Sequence, residues 1–173
     1  MAASVTVPLA SRHIVVGVGD MAASADVQSL LSTYALGSCI ALVAYEPLRK
    51  VGGILHMMLP DSAISPAKAA AHPAMFADTG LPQFFSLLAT FQAQAPRLRL
   101  LMAGGANVIL GHDPFCIGER NARATVDFLA RHGYPVQHAE VGGTVNRTLH
   151  LTLATGMVTI KTPAAEEQFY LTD

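Results

Sequence analysis

"ALGSCIALVAYEPLRKVGGILHMMLP" (residues 35–60) consists of two apolar runs separated by a turn signal. Short apolar runs bounded by turn residues are typical of strands, here at 39–45 and 51–59. Pro47 is the second residue of "EPLR" (46–49), a position that type I turns favour. The stretch therefore predicts an antiparallel hairpin, around which the rest of the fold can be placed.

The hairpin carries one thiol and one imidazole. If its turn closes between Glu46 and Arg49, Cys39 and His56 are directly opposed on one face of the sheet. Directly opposed Cβ atoms in an antiparallel pair lie about 4.5–5.5 Å apart. Because a one-residue slip would move His56 to the other face, this pairing depends on the turn.

A thiol beside an imidazole is the reactive pair of cysteine hydrolases, in which a thiolate–imidazolium pair can form. Gly37 allows a sharp turn before Cys39, and backbone N–H groups near Ser38 and Cys39 could stabilise an oxyanion. The alternative is that Cys39 and His56 are two buried core side chains. The residues alone leave both interpretations open.

A catalytic triad also needs a third group that orients the imidazole. Thr33 precedes Cys39 by six residues in "STYALGSC". Spacing does not choose between Thr33 and the neighbouring hydroxyls, which are Ser32, Tyr34 and Ser38.

Outside the hairpin, the patterns predict strands near both ends of the chain and two helices between them. The strands are expected at 13–19 and 97–107, with a second hairpin at 148–161. Helices are expected at 80–95, where Pro82 suits the first turn, and at 118–133. Residues 62–78 are expected to form a loop with one helical turn.

This order favours an α/β fold of the α+β type over a doubly wound sheet. We expect a layered sandwich of packed β-sheets with flanking helices. No linker or repeat divides the chain, so residues 1–173 are predicted to form a single domain.

Composition excludes several functional classes. A net charge of −1 gives no electrostatic footprint for nucleic acid. Only 13% of the residues are charged, which predicts an exposed apolar patch for a protein partner. With two cysteines, no export signal and no membrane-length apolar run, the protein is expected to be cytoplasmic and not membrane-inserted. Cys116 is expected to be a buried small hydrophobe.

The sequence does not predict a cofactor or a metal site. "GVGDMA" (17–22) has the spacing of a dinucleotide loop, but no convincing helix follows it, so a tight turn is the favoured interpretation. The seven histidines lack the spacing of metal ligands.

Together the motifs resemble the CheD family of chemoreceptor glutamine deamidases. The resemblance is carried by "VGVGD" (16–20), "TYALGSC" (33–39), "YEPLRKVGGILHMMLP" (45–60), "FADTG" (76–80), "MAGGAN" (102–107), "IGERNA" (117–122), "GGTVNR" (142–147) and "TGMVTIK" (155–161). These motifs extend over nearly the whole chain in the order of the family.

The resemblance implies a fold similar to the catalytic domain of the cytotoxic necrotizing factor toxins. It also implies a triad of Cys39, His56 and Thr33 that hydrolyses glutamine side chains of methyl-accepting chemotaxis receptors to glutamate and ammonia, without a cofactor. Some members of the family also hydrolyse glutamyl methyl esters. The implied partners are the receptors and a CheC-like CheY-P phosphatase, which competes for the same surface.

Further positions match the family and are assigned to turns and to a helix start that shape the site: Gly37, Ser38, Gly104, Gly105, Asn107 and Asn121. The chain departs from the family at Ala35, where glycine is more common, at Tyr34, which makes the substrate entrance bulkier, and at Phe76, where tyrosine is frequent. The alternatives are another thiol hydrolase, such as a peptidase or acyltransferase, and a non-catalytic adaptor that binds receptors or a CheC-like protein.

Overall fold

The computed structural model describes residues 12–108 and 113–172. The strands are β1 Arg12–Val15, β2 Met21–Ser24, β3 Ser29–Leu36, β4 Ile40–Glu46, β5 Val51–Met57, β6 Arg99–Gly104, β7 Val136–Val141, β8 Arg147–Thr152, β9 Met157–Lys161 and β10 Glu166–Tyr170. The helices are α1 Pro66–Ala71, α2 Ala77–Thr90 and α3 Ile117–Arg131. Short 3₁₀ turns occupy Ser62–Ile64, Pro73–Met75 and Ala95–Arg97.

The strands form two five-stranded sheets. The first sheet has the order β1-β3-β8-β9-β10, and the second has the order β2-β5-β4-β6-β7. Both sheets are mixed, since β1 pairs with β3 and β6 pairs with β7 in parallel, whereas the other pairs are antiparallel. This arrangement confirms the predicted layered α+β fold.

The second sheet is the middle layer, because alternate residues of a strand point to opposite faces. On one face, Val43 and Ile54 pack with Leu31 and Leu149 of the first sheet. On the other face, Leu42, Leu55 and Met102 pack against the helices, with Leu81 and Phe84 of α2 and Leu129 of α3. Every residue of β4 and β5 is therefore buried, which explains why both runs are apolar at consecutive positions.

The hairpin of β4 and β5 exists, but its predicted register is wrong. Ala41, not Cys39, lies opposite His56. The connection is a four-residue loop between Glu46 and Val51, longer than the tight turn expected at "EPLR". A shift of two residues preserves the face, so Cys39, directly before β4, remains on the His56 side of the sheet.

The longer loop is stabilised by contacts that the turn signal did not reveal. Lys50 has a left-handed backbone with a φ of 53°. The buried Glu46 carboxylate accepts a hydrogen bond from the Leu48 N–H at 3.1 Å and forms a salt bridge with Arg97 at 2.8 Å. The Arg97 guanidinium lowers the pKa of Glu46, so this carboxylate is ionised at neutral pH.

Other predicted elements are close to the observed ones, with two corrections. Helix α2 begins at Ala77, so Pro82 lies inside the helix and not in its first turn. An earlier start is favoured because Asp78 lies at the positive end of the helix and accepts hydrogen bonds from the Ser62 N–H and hydroxyl. Residues 16–20 lead into β2, not into a helix, which excludes a dinucleotide loop.

Strand β3 was not predicted, although it carries Thr33. Its pairing with β8 shifts register between Thr33 and Leu36. Within this irregularity, the exposed Ala35 has a φ of 57°, in the left-handed region that favours glycine. The departure from the family's more common glycine therefore falls at a strained backbone position.

Replacing Ala35 with glycine should relieve this strain. A non-glycine residue in the left-handed region costs about 1–2 kcal/mol, part of which is offset by the larger entropy of unfolded glycine. We expect Ala35→Gly to raise the free energy of unfolding by about 0.5–1 kcal/mol in urea denaturation. The control Ala130→Gly, at an exposed helical position, should lower it by a similar amount, about 0.5–1 kcal/mol. Lower stability of Ala35→Gly would contradict the assigned strain.

Candidate active site

Thr33 and His56 meet between the two sheets. Thr33 lies on β3 of the first sheet, His56 lies on β5 of the second, and both are fully buried. The Thr33 hydroxyl lies 2.7 Å from Nδ1 of His56 and donates to the Val16 carbonyl at 2.8 Å. The hydroxyl therefore links the imidazole to the backbone of the first sheet.

These two hydrogen bonds assign the tautomer of His56. A threonine hydroxyl has one proton, and the Val16 carbonyl can only accept it. In its hydrogen bond with His56, the Thr33 oxygen must therefore be the acceptor. It follows that Nδ1 carries the imidazole proton and Nε2 carries a lone pair. Nε2 is the nitrogen that can take a proton from a nucleophile.

Nε2 of His56 is buried and has no hydrogen-bond partner within the part of the chain that the structure describes. Burial also lowers the pKa of His56 to about 4. At neutral pH the imidazole is therefore uncharged and able to act as a base.

Cys39 lies at the bend 37–39 between β3 and β4 and is half-buried. It packs on the core between the sheets, the side on which His56 also lies. Cys39 precedes Ala41, the residue opposite His56, by two residues, so it lies on the same face of the sheet as His56.

The charge state of Cys39 and His56 differs from the thiolate–imidazolium pair that the sequence suggested. Burial raises the pKa of the Cys39 thiol, and its own backbone N–H offsets part of this increase. Because the pKa of His56 is lowered at the same time, the resting site holds a neutral thiol and a neutral imidazole. A thiolate would have to form by proton transfer to His56 as a substrate is attacked.

The double glycine of "MAGGAN" holds the Cys39 bend through its backbone. The Gly105 N–H donates to the Cys39 carbonyl at 2.7 Å, and the Ala106 N–H donates to the Gly37 carbonyl at 2.8 Å. Gly104 has a φ of 113°, and a Cβ atom there would lie 2.1 Å from the Cys39 carbonyl oxygen. Only glycine permits this approach.

A second glycine pair, Gly142 and Gly143, is hydrogen-bonded to the segment of the first. The Gly142 N–H donates to the Gly104 carbonyl, and the Asn107 N–H donates to the Gly143 carbonyl, each at 2.9 Å. Gly37 is closely packed, since a Cβ atom would lie 3.0 Å from the Asn146 side-chain oxygen. The predicted site-shaping positions are therefore brought together around the bend.

Asn121 of α3 also reaches the site. Its Nδ2 donates to the Ser38 carbonyl at 2.9 Å and to the Met58 carbonyl at 3.0 Å. This contact was not predictable from sequence, because the motif "IGERNA" shows no signal for which segments its asparagine would join.

The other hydroxyls near Cys39 do not contact His56. The Ser32 hydroxyl faces the outer side of the first sheet, where it lies 2.8 Å from Nε2 of His13 and 2.6 Å from Nδ1 of His150. Tyr34 is 43% exposed and its ring contacts His150. Among the hydroxyls left open by spacing, that of Thr33 is the one hydrogen-bonded to His56 in the described residues.

The expectation for Cys116 was wrong. Cys116 is exposed and precedes α3 in a left-handed conformation with a φ of 47°. Its thiol donates to the Asp113 carbonyl at 3.4 Å. The turn formed by Asp113 and Pro114 places the cysteine at the surface, away from the core.

Within residues 12–108 and 113–172, no group of three or more His, Cys, Asp or Glu side chains is arranged to hold a metal ion. In the same ranges, none of the helices has the length and apolar character required to cross a membrane.

Comparison with known proteins identifies the family. The model of the family described as "CheD chemotactic sensory transduction" matches residues 58–162. The chain belongs to the CheD family. The match includes the Gly104–Gly105 pair and Asn121, which surround the Cys39 bend.

Curated relatives cover more of the chain, including the Cys39 hairpin. "Probable chemoreceptor glutamine deamidase CheD 1" of Syntrophus aciditrophicus is 38% identical over 86% of this chain and 92% of its own length. The CheD relative of Solibacter usitatus, named in the same way, is 41% identical over 84% of this chain and 86% of its own length. "Probable chemoreceptor glutamine deamidase CheD 2" of Anaeromyxobacter dehalogenans is 40% identical over 86% of this chain and 93% of its own length.

The close approach at Gly104 can be tested against a matched glycine. Gly133 also has a positive φ, of 72°, but a Cβ atom there meets nothing within 4 Å. We expect Gly133→Ala to cost only the backbone strain, about 1–2 kcal/mol of unfolding free energy. Gly104→Ala should cost at least about 2 kcal/mol more, because the Cys39 carbonyl must move. Equal losses for the two variants in urea denaturation would refute the role assigned to the contact.

The low pKa of His56 predicts a pH dependence of stability. The imidazole titrates near its ordinary value of 6.5 in the unfolded chain and at about 4 in the folded protein. Between these values the unfolded state binds more protons, so stability falls as the pH decreases from 6.5 to 4, by about 3 kcal/mol in total.

His56→Gln should remove this component of the pH dependence, as measured by urea denaturation at a series of pH values. His72→Gln, at an exposed position, should retain the wild-type slope. Identical slopes for His56→Gln and the wild type would show that the buried imidazole is not the titrating group.

Proposed function

We propose that this protein hydrolyses the side-chain amides of glutamines on methyl-accepting chemotaxis receptors, with Cys39, His56 and Thr33 as a catalytic triad. The observation that carries the proposal is the hydrogen bond between Thr33 and Nδ1 of His56, which leaves Nε2 as a buried base on the Cys39 side of the sheet. Membership of the CheD family and the names of the relatives support this choice of substrate.

In the first half of the reaction, the Cys39 thiol gives its proton to Nε2 of His56 as the sulfur attacks the glutamine carboxamide carbon. The C–S bond forms, and the carbonyl electron pair moves to oxygen to give an oxyanion. Collapse of this intermediate breaks the C–N bond, and His56 returns the proton to the departing amine, which leaves as ammonia. A thioester between glutamate and Cys39 remains.

In the second half, Nε2 of His56 takes a proton from a water molecule as the water oxygen attacks the thioester carbon. The second tetrahedral intermediate breaks its C–S bond, and His56 returns the proton to the sulfur. The products are glutamate and the free thiol of Cys39. Thr33 keeps the imidazole proton on Nδ1 throughout the cycle, so that Nε2 is the nitrogen that transfers protons.

The proposal extends to related substrates and partners. A glutamyl methyl ester could react by the same steps, with methanol as the leaving group. The resemblance also leads us to propose a CheC-like phosphatase that competes with the receptor for the surface at Cys39. We place the protein in the cytoplasm, because a thiol nucleophile must stay reduced and both described cysteines are free.

Mass spectrometry of a receptor cytoplasmic fragment tests this function. Incubation with the wild type should convert selected glutamines to glutamates without cleavage of the backbone, which separates a deamidase from a peptidase. Cys39→Ala should abolish the conversion, because no nucleophile remains, and His56→Ala should reduce it by at least about 10³-fold.

The exposed Cys116 provides the matched control for loss of a thiol. Cys116→Ala should convert the same glutamines at the wild-type rate. Deamidation by Cys39→Ala, or its loss in Cys116→Ala alone, would refute the assignment of the nucleophile. Receptor binding without any conversion by the wild type would favour the adaptor.

A further inference from the structure

Asn121 connects the segment of the nucleophile to the segment of the base. It lies on α3, outside both sheets, and is only 1% exposed. One Nδ2 atom donates both of its protons, to the carbonyl of Ser38 before the nucleophile and to the carbonyl of Met58 beyond His56. Because both partners are acceptors, the amide orientation is determined: the NH₂ group must face them.

The contact with Ser38 fixes the direction of the Cys39 N–H. The peptide bond between them is trans, as are all the peptide bonds in the described residues. In a planar trans peptide the C=O and N–H bonds point in opposite directions. With the Ser38 carbonyl held by Asn121, the Cys39 N–H points away from the helix.

The Cys39 N–H is available to a ligand. It donates to no other residue in the described part of the chain, and it lies close enough to its own sulfur to lower the pKa of the thiol. An N–H beside the attacking sulfur is placed where the oxyanion of a tetrahedral intermediate develops.

Three successive carbonyls of the bend are held by the surrounding structure. The Gly37 and Cys39 carbonyls accept from backbone N–H groups of the double-glycine loop, at 2.8 and 2.7 Å. The Ser38 carbonyl between them depends on a side chain, that of Asn121, at 2.9 Å. The orientation of the Ser38–Cys39 peptide is therefore the part of the bend that a single substitution can release.

We propose that Asn121 is a positioning residue that holds the Ser38–Cys39 peptide so that the Cys39 N–H stabilises the oxyanion of the reaction. The inference rests on the proposed function, since it concerns the same nucleophile. Asn121 does not touch the reacting atoms and acts through the peptide. The second contact, to Met58, ties this peptide to the chain two residues beyond His56.

Burial of the Asn121 amide has a cost in free energy, and packing alone does not explain why the protein bears it. Oδ1 of Asn121 is buried and has no hydrogen-bond partner within the described residues. A buried acceptor without a hydrogen bond is unfavourable, because it has lost its hydration without gaining a partner. The two bonds from Nδ2 are the feature of this side chain that offsets that cost, and one of them goes to the peptide of the nucleophile.

The test compares two reactions of Cys39 that differ in whether an oxyanion forms. Iodoacetamide alkylates the sulfur by displacement of iodide and creates no oxyanion. p-Nitrophenyl acetate acylates the same sulfur through a tetrahedral oxyanion. All proteins carry Cys116→Ser, so that the exposed second cysteine does not react.

Asn121→Leu removes the donor without adding a charge. We expect this substitution to slow acylation by about 10- to 100-fold, part of the effect of losing an oxyanion donor, while alkylation stays within about twofold. With a receptor fragment, the loss should be in kcat and not in KM.

Thr125→Val is the matched control. Thr125 lies one turn further along α3, is fully buried, and donates to the Asn121 carbonyl at 2.9 Å. The variant loses a buried hydrogen bond at nearly constant volume and should leave both rates unchanged.

Two outcomes would overturn the inference. If acylation and alkylation by Asn121→Leu fell equally, the side chain would support the thiol in general and not the oxyanion. If neither fell, the peptide would hold its orientation without Asn121. Failure of the proposed receptor function is distinguishable, because the wild type would then leave receptor glutamines unchanged while the comparison of the two small reagents still applied.

Discussion

The hydrogen bond between Thr33 and His56 crosses the interior of the sandwich and depends on the relative position of both sheets. Thr33 can accept from Nδ1 because its own proton goes to the Val16 carbonyl, in the segment that follows β1. One buried hydroxyl thus fixes the tautomer, the ring orientation and the free nitrogen of the imidazole. The packing of Leu31 and Leu149 against Val43 and Ile54 keeps the two partners at this distance.

The proposed nucleophile, Cys39, is positioned by different means, through hydrogen bonds to the carbonyls of its own bend. The bend at 37–39 lies outside regular strand structure, yet its successive carbonyls are held by Gly105, Ala106 and Asn121. Close approach of two backbones requires residues without a Cβ, which accounts for Gly104. Glycines that appear in the sequence as a turn signal therefore also serve the site.

Burial explains the electrostatics of the pair. Removing a group from water disfavours its charged form, so the pKa of the thiol rises and that of the imidazole falls. The resting site is uncharged, and in the proposed reaction charge develops only as a substrate is attacked. A site of this kind depends on groups that stabilise the new charge, which gives the orientation of the peptide before Cys39 its importance.

The sequence by itself determined the layered α+β fold, the hairpin and most of the helices, because periodicity and turn residues act locally along the chain. It also indicated Cys39 and His56 as a candidate pair. It did not determine the register, since the loop after Glu46 is set by Lys50 and by a salt bridge to Arg97, which is distant in sequence. Strand β3 was missed for a related reason, since an irregular strand at Ala35 acquires its structure from its pairing with β8.

Only the tertiary structure decided which hydroxyl faces the imidazole, where Cys116 lies and what Asn121 holds. Each of these depends on segments that are far apart in the chain and meet only when the two sheets and α3 have packed.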